Sequence, residues 1–108
     1  MSLTIRTVRV DRSVTLLVRG ELDAATAVDL TVAGLAVLVG EDDVDELVID
    51  LGAVTFADSS GLAAVQALND RARRVRVKVA VTNPGPRVAQ SLRVMGLDRV
   101  LPITGLEE

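Results

Sequence analysis

The spacing of apolar residues changes repeatedly along this chain, and each change marks the border of an element. Leu3 to Val10 is apolar and β-branched, but its alternation slips between Ile5 and Val8, which predicts an irregular or bulged edge strand. Val14, Leu16 and Val18 alternate cleanly, and Asp11-Arg12-Ser13 before them reads as a short hairpin loop. After Gly20-Glu21-Leu22-Asp23, the residues Val28, Val32, Leu35 and Val39 recur at i, i+4, i+7 and i+11. That spacing predicts a helix laying this stripe on a sheet, stopped at Gly40. Asp42 to Glu46 is an acidic connector, and Leu47 to Leu51 is a nearly continuous apolar run suited to a central strand.

The residues after Leu51 read as a loop, and Asp58-Ser59-Ser60-Gly61 as the opening of a second helix. This helix turns Leu62, Val65, Leu68 and Ala72 to the core and ends near Arg73 or Arg74. Val75, Val77, Val79 and Val81 then alternate with Arg76, Lys78 and Ala80, the period of a strand, here expected to run parallel to the Leu47 strand. Asn83 suits an N-cap and Pro84 or Pro86 a first helical turn. Val88, Leu92 and Met95 form a third stripe that Gly96 terminates. Arg99 to Ile103 reads as a short last strand, with Pro102 allowed only at an edge or end. The order ββαβαβαβ makes an α/β fold, a mixed sheet of about five strands with helices mainly on one face.

Composition narrows the chemistry. At 108 residues the chain reads as a single domain, residues 1–108, able to bury roughly 65% of its unfolded surface. It has no histidine and no cysteine, which removes His- and Cys-based metal sites, thiol nucleophiles and Ser-His-Asp triads. Ala57-Asp58-Ser59-Ser60-Gly61 comes near the hydrolase elbow G-x-S-x-G, but no imidazole exists to take a proton from Ser59. No catalytic residue, cofactor or metal ligand is therefore expected. A formal net charge of −3 favours neither nucleic acid nor an anionic membrane. No apolar run approaches the roughly 20 residues of a membrane span, and Met1 to Arg6 lacks a signal-peptide core, so a cytoplasmic protein is the expectation.

Local features have plain readings beside functional ones. The basic run of Arg71, Arg73, Arg74, Arg76 and Lys78 lacks interleaved aromatics for base stacking and reads as a solvated face. Phe56, the one aromatic, reads as a core or loop-anchoring residue, and Asp50 lacks the acid pair that a magnesium-dependent phosphoacceptor needs. Asp58 is a candidate N-cap, which leaves Ser59 and Ser60 in a first turn where free N–H groups and the helix dipole favour an added phosphate. Asp23 fits equally a cap for the first helix or a lining of a docking surface.

Gly20-Glu21-Leu22-Asp23, Leu47 to Leu51, Val54 to Leu62 and Met95 to Leu101 together resemble the STAS-domain anti-sigma factor antagonists over almost the whole chain. The Asp-Ser-Ser-Gly-Leu segment is the most specific part. The resemblance implies a STAS-like fold and a serine, here Ser60, phosphorylated by an anti-sigma factor that is also a serine kinase. It implies that the unphosphorylated chain binds that anti-sigma factor and frees a sigma factor, that phosphorylation ends the binding, and that a serine phosphatase restores it. Asp23, Asp58, Ser59, Ser60, Gly61 and Leu62 are then the expected partner-binding residues. The same family also implies an alternative, a non-switching scaffold subunit of a transport or stress-signalling complex. The outer side of the Leu3 to Val10 strand is open to pairing with a second copy, a homodimer.

Overall fold

The computed structural model describes residues 2–105, so the expected domain extends past the described residues at both ends. Its elements are β1 (Leu3–Val10), β2 (Ser13–Leu22), α1 (Ala27–Gly40), β3 (Glu46–Ala57), α2 (Ser59–Arg74), β4 (Lys78–Thr82), α3 (Pro86–Val94) and β5 (Ile103–Thr104), with a 3-10 turn at Leu97–Arg99. The five strands form one mixed sheet in sequence order, β1 antiparallel to β2 and the remaining neighbours parallel.

The inward positions of β2, β3 and β4 carry Val14, Leu16, Val18, Leu47, Ile49, Leu51, Val79 and Val81, none more than 3% exposed. The intervening residues, among them Thr15, Leu17, Val48 and Ala80, point to the side that no helix covers. This is the one-sided helix cover that the alternation in β4 predicts.

β1 holds no bulge. It pairs with β2 residue for residue from Leu3 opposite Gly20 to Val10 opposite Ser13, and the irregularities lie instead between β2 and β3. The slipped alternation has another cause: Arg9 reaches from the edge to the loop after α1, where its guanidinium donates to the Asp42 carbonyl at 2.7 Å and meets the Glu41 carboxylate at 3.5 Å. β3 also runs on through the expected loop. Because β2 extends to Leu22, it offers partners to Ala53, Val54, Phe56 and Ala57, and this ladder outweighs the break that Gly52 suggests.

α1 is rotated from its expected setting. Leu30, Gly34 and Val37 face the core, while Val28, Val32 and Val39 are 60%, 62% and 74% exposed. The helix is apolar around most of its circumference, so periodicity marks a stripe without saying which side is inward. Contact with α2 decides it: a Cβ at Gly34 would stand 2.5 Å from the Leu68 methyl carbons. The side lacking a side chain at residue 34 is the one that fits.

Three smaller expectations are also corrected. Val75 is 48% exposed and Arg76 has φ 60°, so a turn precedes β4 and only Val77, Val79 and Val81 are inward. Asn83, at φ 57°, caps no helix; its amide donates to the Asp50 carboxylate at 3.0 Å, and Gly85 with Pro86 opens α3. The last strand is only Ile103–Thr104, because Leu97 and Leu101, four apart, are buried as a turn of helix would bury them. Asp50 also accepts from the Gly52 N–H at 2.8 Å, which accounts for a carboxylate at the end of an apolar run.

Leu30→Ala is expected to cost about 2–5 kcal/mol in urea unfolding, and Val32→Ala in dilute protein less than about 0.5 kcal/mol. The reverse order would return the valine stripe to the core.

Candidate functional site

The start of α2 is built by three residues with different tasks. Asp58 has extended backbone angles and stands at the N-cap; its Oδ1 accepts the Gly61 N–H at 2.9 Å and its carbonyl accepts the Leu62 N–H at 2.9 Å. Its own N–H donates to the Leu22 carbonyl at 3.2 Å, tying the helix start to the end of β2. Gly61 is buried against the same place: an added Cβ would collide with the Leu22 carbonyl and stand 2.8 Å from the Asp23 nitrogen.

Ser59 and Ser60 take the outer side of this turn, and both are exposed. With the N–H groups of Asp58 and Gly61 engaged, those of Ser59 and Ser60 have no partner among the described residues. Two hydroxyls and two free donors thus share the positive end of a 16-residue helix.

Asp23 lies beside them in the chain path but turns its carboxylate the other way. Oδ1 accepts the N–H groups of Ala25 at 2.9 Å and Thr26 at 3.1 Å, a local cap for the turn leading into α1. Buried Thr26 completes that turn: its hydroxyl donates to the Glu21 carbonyl at 2.7 Å and accepts the Asp23 N–H at 3.0 Å. Sequence reasoning missed Thr26, although an aspartate three residues before a threonine is a signal for such a turn.

Of the six expected contact residues, the structure gathers Asp23, Asp58, Ser59, Ser60 and Gly61 at one end of the sheet. Leu62 is fully buried, so its side chain belongs to the core and cannot meet a partner directly. Phe56, expected as a core or loop-anchoring residue, is not in the core: it is 50% exposed near the end of β3, opposite Glu21. The sequence also hid the part played by α3. Arg87, Gln90, Ser91, Val94 and Met95 line an open groove of about 440 Å³ with Ser59. The described residues hold no cluster of acidic, histidine or cysteine side chains fit for a metal ion, and none of their helices is long and apolar enough to cross a membrane.

A family model described as "Mlab, STAS domain" matches residues 5–104. The chain belongs to the STAS-domain anti-sigma factor antagonist family. This STAS domain is 31% identical to an anti-sigma factor antagonist from Mycobacterium paratuberculosis, with a TM-score of 0.85 over 97% of this chain and 87% of that one. The fold is shared with a putative anti-sigma factor antagonist from Thermotoga maritima, at 20% identity and TM-score 0.84 over 94% of this chain and 86% of the other. It is shared too with the Bacillus cell fate determinant SpoIIAA in its phosphorylated form, at 18% identity and TM-score 0.71 over 93% and 90% of the two chains. No curated protein matches.

Asp58→Ala should lower stability by about 0.5–2 kcal/mol through loss of the cap. Gly61→Ala should cost about 1–3 kcal/mol despite alanine's better helix propensity, because the added methyl meets backbone. Both are read from urea unfolding, and a stabilised Gly61→Ala variant would contradict the close approach of α2 to β2.

Proposed function

We propose that this STAS domain is an anti-sigma factor antagonist whose binding is switched by phosphorylation of Ser60. The observation that carries the reading is an exposed hydroxyl in the first turn of α2, beside free N–H groups and clear of the core. The phosphorylated form named for the Bacillus relative supports it. The unmodified end of the sheet, with Ser59, Ser60, Asp58 and the loop at Asp23, is the surface an anti-sigma factor with serine kinase activity would meet. Exposed Phe56 adds an apolar anchor close by.

Phosphate transfer to the Ser60 oxygen releases the hydroxyl proton and leaves about −1.5 to −2 charges with three acceptor oxygens. At about 5 Å from a carboxylate, each unit of that charge is repelled by roughly 3 kcal/mol at an effective dielectric near 20. The helix dipole returns only about 0.3–2 kcal/mol. Since Asp58 and Gly61 are held by bonds that phosphate does not touch, the domain stays folded while its contact surface gains charge and hydration. A partner fitted to the neutral surface is lost without a rearrangement. In this reading the chain is a kinase substrate and a binding module, not an enzyme. It acts in the cytoplasm, needs no cofactor, and is reset by a serine phosphatase.

Incubation with candidate anti-sigma kinases and ATP, followed by peptide mapping, should place the phosphate on Ser60. Label found only outside residues 55 to 62 would overturn the assignment. Ser60→Asp should weaken binding to the cognate anti-sigma factor about tenfold or more, and Ser60→Ala should bind without accepting phosphate.

A further inference from the structure

The hairpin of β1 and β2 carries Arg6, Arg9, Arg12 and Arg19, and it treats them in two ways. Arg9 meets Glu41 at 3.5 Å and Arg12 meets Asp45 at 3.0 Å. Arg6 and Arg19 are exposed and form no ion pair among the described residues. The register sets these two side by side. Arg6 stands opposite Leu17 and Arg19 opposite Thr4, so both side chains leave the same face of adjacent strands, the face that no helix covers. Like charges at such diagonal positions repel, and the fold itself gains nothing from them.

A carboxylate lies on the same face and is bonded elsewhere. Asp50 is the β3 neighbour of Leu17, but its Oδ1 accepts the Gly52 N–H at 2.8 Å and its Oδ2 accepts the Asn83 amide at 3.0 Å. A bulge makes this possible. Between the pairs Leu17–Asp50 and Arg19–Ala53, two residues of β3, Leu51 and Gly52, stand against the single Val18 of β2. The extra residue breaks the ladder where Gly52 turns its N–H to Asp50, and it sets small, exposed Ala53 beside Arg19. The result is a cavity of about 220 Å³, lined by Thr4, Arg6, Arg19 and Asp50 over an apolar floor of Leu17 and Ala53.

Two guanidiniums and one carboxylate leave this cavity with one positive charge, on a chain whose net charge is −3. That charge suits a single anionic head. Arginine offers a planar fork of N–H donors that matches the two oxygens of a carboxylate. The floor of Leu17 and Ala53 accepts a short aliphatic stem, and a volume below the roughly 300–1,000 Å³ of drug-sized sites limits that stem to a few carbons.

We propose that this cavity binds a small aliphatic carboxylic acid in its ionised form, the head between Arg6 and Arg19 and the stem on Leu17 and Ala53. Asp50, its oxygens already bonded, repels a second negative charge and so favours monocarboxylates over dicarboxylates. The site lies on the uncovered face of the sheet and does not depend on the reading of Ser60.

Proton–nitrogen correlation spectra of the full chain, titrated with sodium butyrate at constant ionic strength, test this. The amides of Thr4, Arg6, Arg19 and Ala53 should shift together and saturate. Their common dissociation constant should be on the order of millimolar, because exposed cations and few buried atoms leave a small surplus. Arg6→Gln and Arg19→Gln should each weaken binding by about fivefold or more, while Arg12→Gln, whose arginine is already paired, should leave it unchanged. Urea unfolding should place Arg19→Gln at or above native stability, since it relieves a like-charge pair. Succinate should bind more weakly than butyrate, and n-butylamine, the same stem with a positive head, should move none of these amides. Replacing both Glu107 and Glu108 by glutamine should leave the butyrate affinity as it is. A rise of about tenfold would make the chain's own carboxylates the occupant and overturn the proposal. It is overturned as well by binding indifferent to Arg6→Gln and Arg19→Gln, by an equal response to n-butylamine, or by shifts that follow Arg71, Arg73 and Arg74 as strongly as Arg19.

Discussion

The approach of Gly61 to the Leu22 carbonyl is the contact on which the rest of this molecule depends. With no Cβ in the way, the first turn of α2 presses onto the end of β2, and the same carbonyl receives the Asp58 N–H. That fixes the turn from Asp23 to Thr26, and through it the entry to α1, because Asp23 nitrogen and carboxylate are both committed to the turn. The serines are left outside as a consequence: once Asp58 and Gly61 face inward, residues 59 and 60 have nowhere else to go.

Such an arrangement separates what holds the domain from what its partners would sense. The stabilising bonds of the helix start run through the backbone and the Asp58 carboxylate. The exposed hydroxyls contribute little to folding, so their chemistry can change at small cost to stability. A helix terminus with two of its donors already spent is also a modest anion seat. It would tolerate a phosphate more than trap one, which fits the reversible modification proposed for Ser60.

Much of this was legible in the chain itself. The order of elements, the inward residues of β2, those of β4 apart from Val75, the face of α2 and the cap at Asp58 all follow from periodicity and capping rules that act locally. What escaped depended on partners distant in sequence. The face of α1 was set by Leu68 of α2 meeting Gly34, which no pattern within α1 records. The length of β3 was set by how far β2 runs beside it. Asn83 looked like a cap because its role, bonding Asp50 across the end of the sheet, joins residues 33 apart. At the candidate site, the serines and Asp58 were legible as a motif, while Arg87 and its groove came into reach only through the docking of α3.

The two borders of the sheet are protected from open-ended strand addition by unlike means. β5 offers only Ile103–Thr104, too short a template to recruit another chain. β1 is eight residues long, but it bears Arg6 and Arg9, the second drawn back across the loop after α1. Brevity guards one side and cationic charge the other. A cell can therefore accumulate this chain with little risk of fibrous polymerisation, and a mutation erasing either arginine would trade solubility for nothing the fold needs.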